Sequence, residues 1–296
     1  MTERPLLEIG NLRVVYPGDD GDFRAVRNLS FTLGRERLGI VGESGSGKST
    51  TGRAIMGLIP RPGRVEADVM RLGDVDLTTI SERDFRKLRG KRIAMVLQDP
   101  KYSLDPVMSV GKQIAETHRH HFGSSAKVAK AAALDMLASV HIRNPALVYD
   151  QFPHQVSGGM GQRIMIAMML IAGPDILIAD EPTSALDVSV QQQVLAIMDE
   201  MVRSRGMGLI LISHNLHLVS SFCDRVLVMY AGQIVEICEA SKLHEAQHPY
   251  TRGLLAALPQ LGHRQAELPQ LQRDPAWLVD LAAPPGAGIA APAGAR

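Results

Sequence analysis

The segment Gly42-Glu43-Ser44-Gly45-Ser46-Gly47-Lys48-Ser49 places a glycine-rich turn, a lysine and a hydroxyl at the spacing that grips the phosphates of a nucleoside triphosphate. The glycines allow turn conformations in which backbone N–H groups converge on phosphate oxygens, and the helix expected to follow adds its electropositive end. Lys48 then reaches the β- and γ-phosphates, the Ser49 hydroxyl binds Mg²⁺, and Thr50, next in the same turn, joins the nucleotide-binding set.

Two further segments carry matching chemistry. Ile176-Leu177-Ile178-Ala179-Asp180-Glu181 is an apolar run ending in two carboxylates, which a strand delivers to the edge of a sheet where such a loop also opens. Asp180 suits Mg²⁺, and Glu181 suits the orientation and deprotonation of an attacking water. Val156-Ser157-Gly158-Gly159-Met160-Gly161-Gln162-Arg163 supplies a serine and glycines at a helix start, a second anion-binding end that one nucleotide does not obviously need.

The elements that must hold these groups are legible from periodicity. Arg37 to Val41 reads as the strand before the loop and Ser49 to Gly57 as the helix after it. Leu6 to Tyr16 and Ala25 to Leu33 alternate around a Gly18–Gly21 turn and predict an antiparallel β-region, with another β-like stretch from Arg64 to Leu77. Ser81 to Asp84 has the spacing of a helix start, and Arg92 to Gln98 reads as a buried strand. From Ser109 to Val140 the period is helical, predicting a helical subdomain inserted at about residues 100–160. Beyond it Met160–Ile171 and Val188–Arg205 read as helices and Ile176–Ala179 and Leu209–Ser213 as strands. A hairpin of Arg225–Tyr230 and Gln233–Cys238 follows. The fold class expected is α/β: a P-loop NTPase core with a mostly parallel sheet, an N-terminal antiparallel β-subdomain and the helical insertion.

Composition excludes several classes. The 32 basic and 31 acidic residues nearly cancel, so no nucleic-acid partner or polybasic membrane anchor is expected. Cys223 and Cys238 are too few for a disulfide framework and lack zinc spacing. Met1 to Pro5 is polar and does not read as a secretory signal. The longest apolar stretch, Ile164 to Ala172, stops well short of the ~20 residues that span a bilayer. His118, His120 and His121 read as a solvated helix face rather than a metal site. Ala282 to Arg296 is nearly all Ala, Gly and Pro and reads as a disordered tail.

The joint order of these motifs, from about Leu6 to Leu258, resembles the ATP-binding cassette (ABC) ATPases. The resemblance implies that Ser157, Gly158 and Gly159 form the signature that faces the P-loop of a second cassette, so that the chain works as a dimer. It implies that Tyr16 stacks on adenine, that Gln98 links Mg²⁺ and the attacking water to the helical block, that Asp187 in Ser184-Ala185-Leu186-Asp187 crosses the interface, and that His214 contacts the γ-phosphate. The signature departs from the usual form at Val156 and Met160, which puts interface packing in question but leaves the phosphate-facing groups intact. Gln98-Asp99-Pro100, Ser103 to Pro106 and His248-Pro249-Tyr250-Thr251 resemble the oligopeptide, dipeptide and nickel branch of importer ATPases.

That branch implies an ATPase at the cytoplasmic face of the inner membrane. Its partners would be a second ABC subunit, identical or related, two transmembrane permease subunits and, indirectly, an extracytoplasmic solute-binding protein. The cargo stays open among peptides, an opine-like conjugate and a metal chelate. Some members hold an iron-sulfur centre on late cysteines; none follows Cys238 here, so no such centre is expected, and 259–281 reads as a C-terminal extension. The competing reading is a soluble non-transport ABC ATPase acting on ribosomes or DNA. A single P-loop, a single signature and a compact helical block weigh against it, and Glu181 and His214 weigh against a cassette unable to hydrolyse.

Overall fold

A computed structural model of the chain describes residues 4–19, 21–98, 103–184, 186–257, 274 and 277. The expectations for Asp99, Pro100, Ala185, most of 259–281 and the 282–296 tail lie outside the described residues. The chain forms two compact units, Met1–Ile80 with Ile210–Arg296, and Ser81–Leu209.

In the first unit, β1 (Leu7–Tyr16) pairs antiparallel with β2 (Phe23–Leu33), β4 (Arg64–Glu66) and β5 (Val69–Leu72), and β5 pairs with β6 (Val75–Asp76). Alternation drives this sheet: Leu7, Ile9, Leu12 and Val14 are buried on β1, facing Phe31 and Leu33 of β2 in the core. The β-like stretch from Arg64 to Leu77 is therefore three short strands rather than one. Turns at Gly73 and around Asp68 break it, the Asp68 N–H donating to the Gly10 carbonyl. The second sheet of this unit contains β3 (Arg37–Val41), which runs parallel to β10 (Arg225–Tyr230), while β11 (Gln233–Glu239) returns antiparallel to β10. β3 leads through the Gly42–Gly47 loop into α1 (Lys48–Ile55), giving the strand–loop–helix order that the motif requires.

Arg225 and Glu36 form a buried pair at 3.3 Å, with Arg225 also donating to the Thr32 carbonyl. Burial raises the Glu36 carboxyl above its ordinary range, and the Arg225 charge opposes that rise.

In the second unit, β7 (Ile93–Val96) and β8 (Ile176–Asp180) are parallel neighbours, buried at every position as two-sided strands must be. Helices surround them: α2 (Glu82–Leu88), α3 (Val110–Phe122), α4 (Ala126–Ser139), α5 (Pro145–Tyr149), α6 (Gly158–Leu170) and α7 (Val188–Arg205). The helical stretch expected from Ser109 to Val140 consists of two helices. Gly123, left-handed at φ 64°, ends α3, and the Ser125 hydroxyl accepts the Val128 N–H to begin α4. His118 and His121 are half-buried rather than solvated: His118 lies 2.8 Å from the Ser124 hydroxyl, and His121 packs over Gly90. β9 (Gly208–Ser213) carries the chain back into the first unit, followed there by α8 (Leu216–Phe222) and α9 (Pro249–Ala256). Among the described residues no helix is long and apolar enough to cross a membrane.

Candidate functional site

The loop between β3 and α1 is held from behind by its own unit. Gly42 adopts φ 152°, and a Cβ there would lie 2.2 Å from the Met229 carbonyl at the end of β10. Gly47 caps α1 in the left-handed region at φ 96°, where a Cβ would come within 2.6 Å of the Ala25 carbonyl. The loop is closed on the hairpin side too, the Gly232 N–H donating to the Ser46 carbonyl and the Arg27 N–H to the Gly232 carbonyl. Lys48 is only 6% exposed. Its Nζ donates to the carbonyls of Gly42 at 2.8 Å and Glu43 at 2.7 Å and to the Ser46 hydroxyl at 3.4 Å. The Thr51 hydroxyl ties the first turn back to the Gly47 carbonyl at 2.9 Å. Ser44 and Gly45, at the crest of the loop, are exposed, and Ser49 and Thr50 stand half-buried at the helix start.

The same unit carries Tyr16 and His214. Tyr16 closes β1 opposite Phe23, half-buried with its ring edge against Gly63. His214 is exposed immediately after β9, where Ser213 and Asn215 organise the turn: the Asn215 N–H donates to the Ser213 hydroxyl and the Asn215 side chain caps α8.

In the second unit the two carboxylates end β8 as their sequence requires. Asp180 is 7% exposed. Glu181 is half-buried and left-handed at φ 48°, a conformation that strains a residue with a Cβ and that gathers at functional turns. The Ser184 N–H and hydroxyl both donate to its carbonyl, at 3.3 and 3.2 Å, fixing the turn. Gln98 is exposed just beyond β7. Ser157 and Gly158 are exposed at the start of α6, where the Ser157 hydroxyl caps the helix by accepting the Met160 N–H at 3.3 Å. A Cβ on Gly158 would meet nothing within 4 Å, whereas one on Gly159 would strike Val190 of α7. Asp187 caps α7 through the Val190 N–H, and this bond holds its carboxyl below the ordinary range.

P-loop, Tyr16 and His214 thus share one unit, while Asp180, Glu181, Gln98, Ser157–Gly159 and Asp187 share the other. One contact to the P-loop is not foreshadowed by any local pattern: the Tyr250 hydroxyl, 207 residues away in sequence, accepts the Glu43 N–H at 3.0 Å. Only the short run His248 to Thr251 singled that region out.

The chain matches the family described as ABC transporter over residues 26–184. It is 45% identical over 268 residues to the dipeptide transport ATP-binding protein DppD of Escherichia coli (strain K12), covering 90% of this chain and 82% of that one. It is 44% identical over 283 residues to the oligopeptide transport ATP-binding protein OppD of Bacillus subtilis (strain 168), covering 95% and 78%. Among solved structures, the dimeric structure of MJ0796, a bacterial ABC transporter cassette, aligns with a TM-score of 0.68 at 24% identity over 79% of this chain and 98% of that one. CbiO1 from Clostridium perfringens, part of the ABC transporter complex cbiONQ, aligns at 0.67 and 24% over 82% and 92%. At that identity the likeness is one of fold, an α/β P-loop cassette.

Proposed function

We infer that this chain, which belongs to the ABC transporter family, is the ATP-hydrolysing subunit that powers import of peptides or a related small solute through a separate transmembrane permease. The observation that carries this reading is an asymmetry. The loop around Lys48 is packed and bonded within its own unit, while Ser157 and Gly158 present a helix start to solvent. A helix N-terminus open to solvent is suited to an anion brought by another molecule. A second cassette, a copy of this chain or a related subunit, supplies that anion as the γ-phosphate of its own bound ATP.

In this mechanism ATP docks against Tyr16, and its phosphates replace the Gly42 and Glu43 carbonyls as acceptors for Lys48 while the loop N–H groups take the remaining oxygens. Ser49, Gln98 and Asp180 would hold Mg²⁺, which when bound offsets charge on the phosphates. Glu181 orients a water and takes its proton, His214 holds the γ-phosphate from the other side, and Asp187 meets the partner across the interface. Closure does work because ATP binds the closed pair better than the open one, and only differential affinity shifts such an equilibrium. The helical block of the second unit docks the permease, placing the chain at the cytoplasmic face of the membrane, with a solute-binding protein delivering cargo on the far side.

The named relatives are dipeptide and oligopeptide transport ATP-binding proteins, which gives a role on ribosomes or DNA no support. The test is affinity purification of the tagged chain from its native host. Two permease subunits and solute-stimulated ATP hydrolysis are expected in the eluate; recovery with ribosomes and without permeases contradicts the reading.

A further inference from the structure

Tyr250 lies on α9, fully buried, at the meeting point of three elements of the first unit. Its ring is 4.6 Å from that of Tyr230, the last residue of β10. Trp277, from the C-terminal extension, stands edge-on at 5.7 Å from Tyr230 and near Tyr250 at 6.1 Å. His248, whose Nδ1 accepts the Tyr250 N–H to cap α9, stands 5.9 Å from the same indole. An aromatic brace of this kind needs no hydroxyl, since a phenyl ring fills the space and makes the ring contacts equally well. The hydroxyl is nevertheless spent on the P-loop.

The geometry says why that matters. The Glu43 N–H that reaches Tyr250 and the Gly42 carbonyl that accepts from Lys48 at 2.8 Å belong to one peptide unit. That unit is planar, so a rotation that breaks one bond disturbs the other. Its Gly42 end is backed by the Met229 carbonyl, next to Tyr230, which leaves the peptide little room to shift sideways. We propose that Tyr250 is a positioning residue for the nucleotide site: its hydroxyl fixes the Gly42–Glu43 peptide and thereby the resting place of Lys48, with Tyr230 and Trp277 bracing the phenol. Trp277 is in this way joined through the two tyrosines to the phosphate-binding loop. The proposal rests on the P-loop being the ATP site.

The test compares ATP affinity, ATPase kinetics and thermal midpoint for the full chain and two variants. Tyr250→Phe keeps the ring and removes the acceptor of the Glu43 N–H. The expected result is a rise of about 3- to 10-fold in both the Kd and the KM for ATP, the range one such bond commands, with kcat at saturating ATP nearly unchanged. Trp277 is the only tryptophan in the sequence, so its fluorescence reports on the brace directly. ATP should change it in the parent and change it less in Tyr250→Phe. Unaltered Kd and KM in Tyr250→Phe, or a lowered midpoint with unaltered affinity, overturns the proposal, because the residue is then packing alone. Lys48→Ala separates the two levels: if it binds ATP as the parent does, the P-loop reading itself falls. If it loses ATP while Tyr250→Phe keeps full affinity, only the role of Tyr250 falls.

Discussion

The loop at Lys48 and the helix start at Ser157 are both shaped to receive anions, yet one is packed against its own chain and the other is bare. Ser46 and Lys48 are 3% and 6% exposed, and every side of the loop except its crest meets a strand end, a hairpin or Tyr250. Around Ser157 the capping bond takes the Met160 N–H, and no described atom lies within 4 Å of where a Cβ on Gly158 would stand. On the proposed function, the difference puts preorganisation where the chain holds its own nucleotide. Open space has been kept where it must meet another molecule's.

Breaking the chemistry on the second unit gives the largest expected effect. Glu181→Gln should lower turnover by about 10²- to 10⁴-fold, the contribution of a positioned general base, while ATP still binds and closed pairs accumulate. Steady-state ATPase assays beside size-exclusion chromatography check it; unchanged turnover removes Glu181 from the base's role.

Two glycines sharpen the contrast between the regions. A Cβ at Gly158 meets no described atom within 4 Å, so in Gly158→Arg the thermal midpoint and ATP binding of the isolated subunit should persist while turnover of the assembled transporter falls by about 10²-fold or more, the scale of losing one preorganised anion donor. Gly42→Ala should instead weaken the free chain itself, because its Cβ would press on the Met229 carbonyl in a left-handed backbone position. It should cost the free chain about 1–3 kcal/mol of stability, read by denaturant unfolding. If the two variants behave alike, the packed-versus-open distinction is wrong.

The smallest effect concerns pH. Burial holds the His248 imidazole below its ordinary value of 6.5, opposed by the Glu236 charge, and His121 is lowered in the same direction, first by burial. The unfolded chain therefore binds more protons than the folded one just below pH 6.5, so stability present above that value is lost as the pH falls. The thermal midpoint should drop between pH 7.5 and 5.5, and His248→Asn, which can still cap α9, should flatten part of that slope. A midpoint indifferent to pH over this window counts against the half-buried cap.

Much of this was readable from residues alone because the decisive patterns are local. Gly42 to Ser49 needed only its flanking strand and helix, and Asp180 and Glu181 are carried by five consecutive buried strand residues. Ser157 and Asp187 cap helices at the positions their side chains favour. What escaped depends on signals weaker than periodicity or on contacts distant in sequence. The α3–α4 break was written in Gly123-Ser124-Ser125, but the apolar period continues across it and hides the stop. The left-handed turn at Glu181 carries no glycine to announce it. The Tyr250 bond joins residues 207 apart, and no local rule predicts which buried phenol will reach a loop that far away.

The central claim, that each ATP site is completed by a second cassette, is tested most directly by cryo-EM of the ATP-trapped Glu181→Gln assembly purified from membranes. The account predicts ATP on this chain's P-loop touching a signature serine of the neighbouring cassette, and this chain's Ser157 within hydrogen-bond distance of the phosphate held by that neighbour. A nucleotide enclosed by one chain alone, with Ser157 remote from any phosphate, contradicts it.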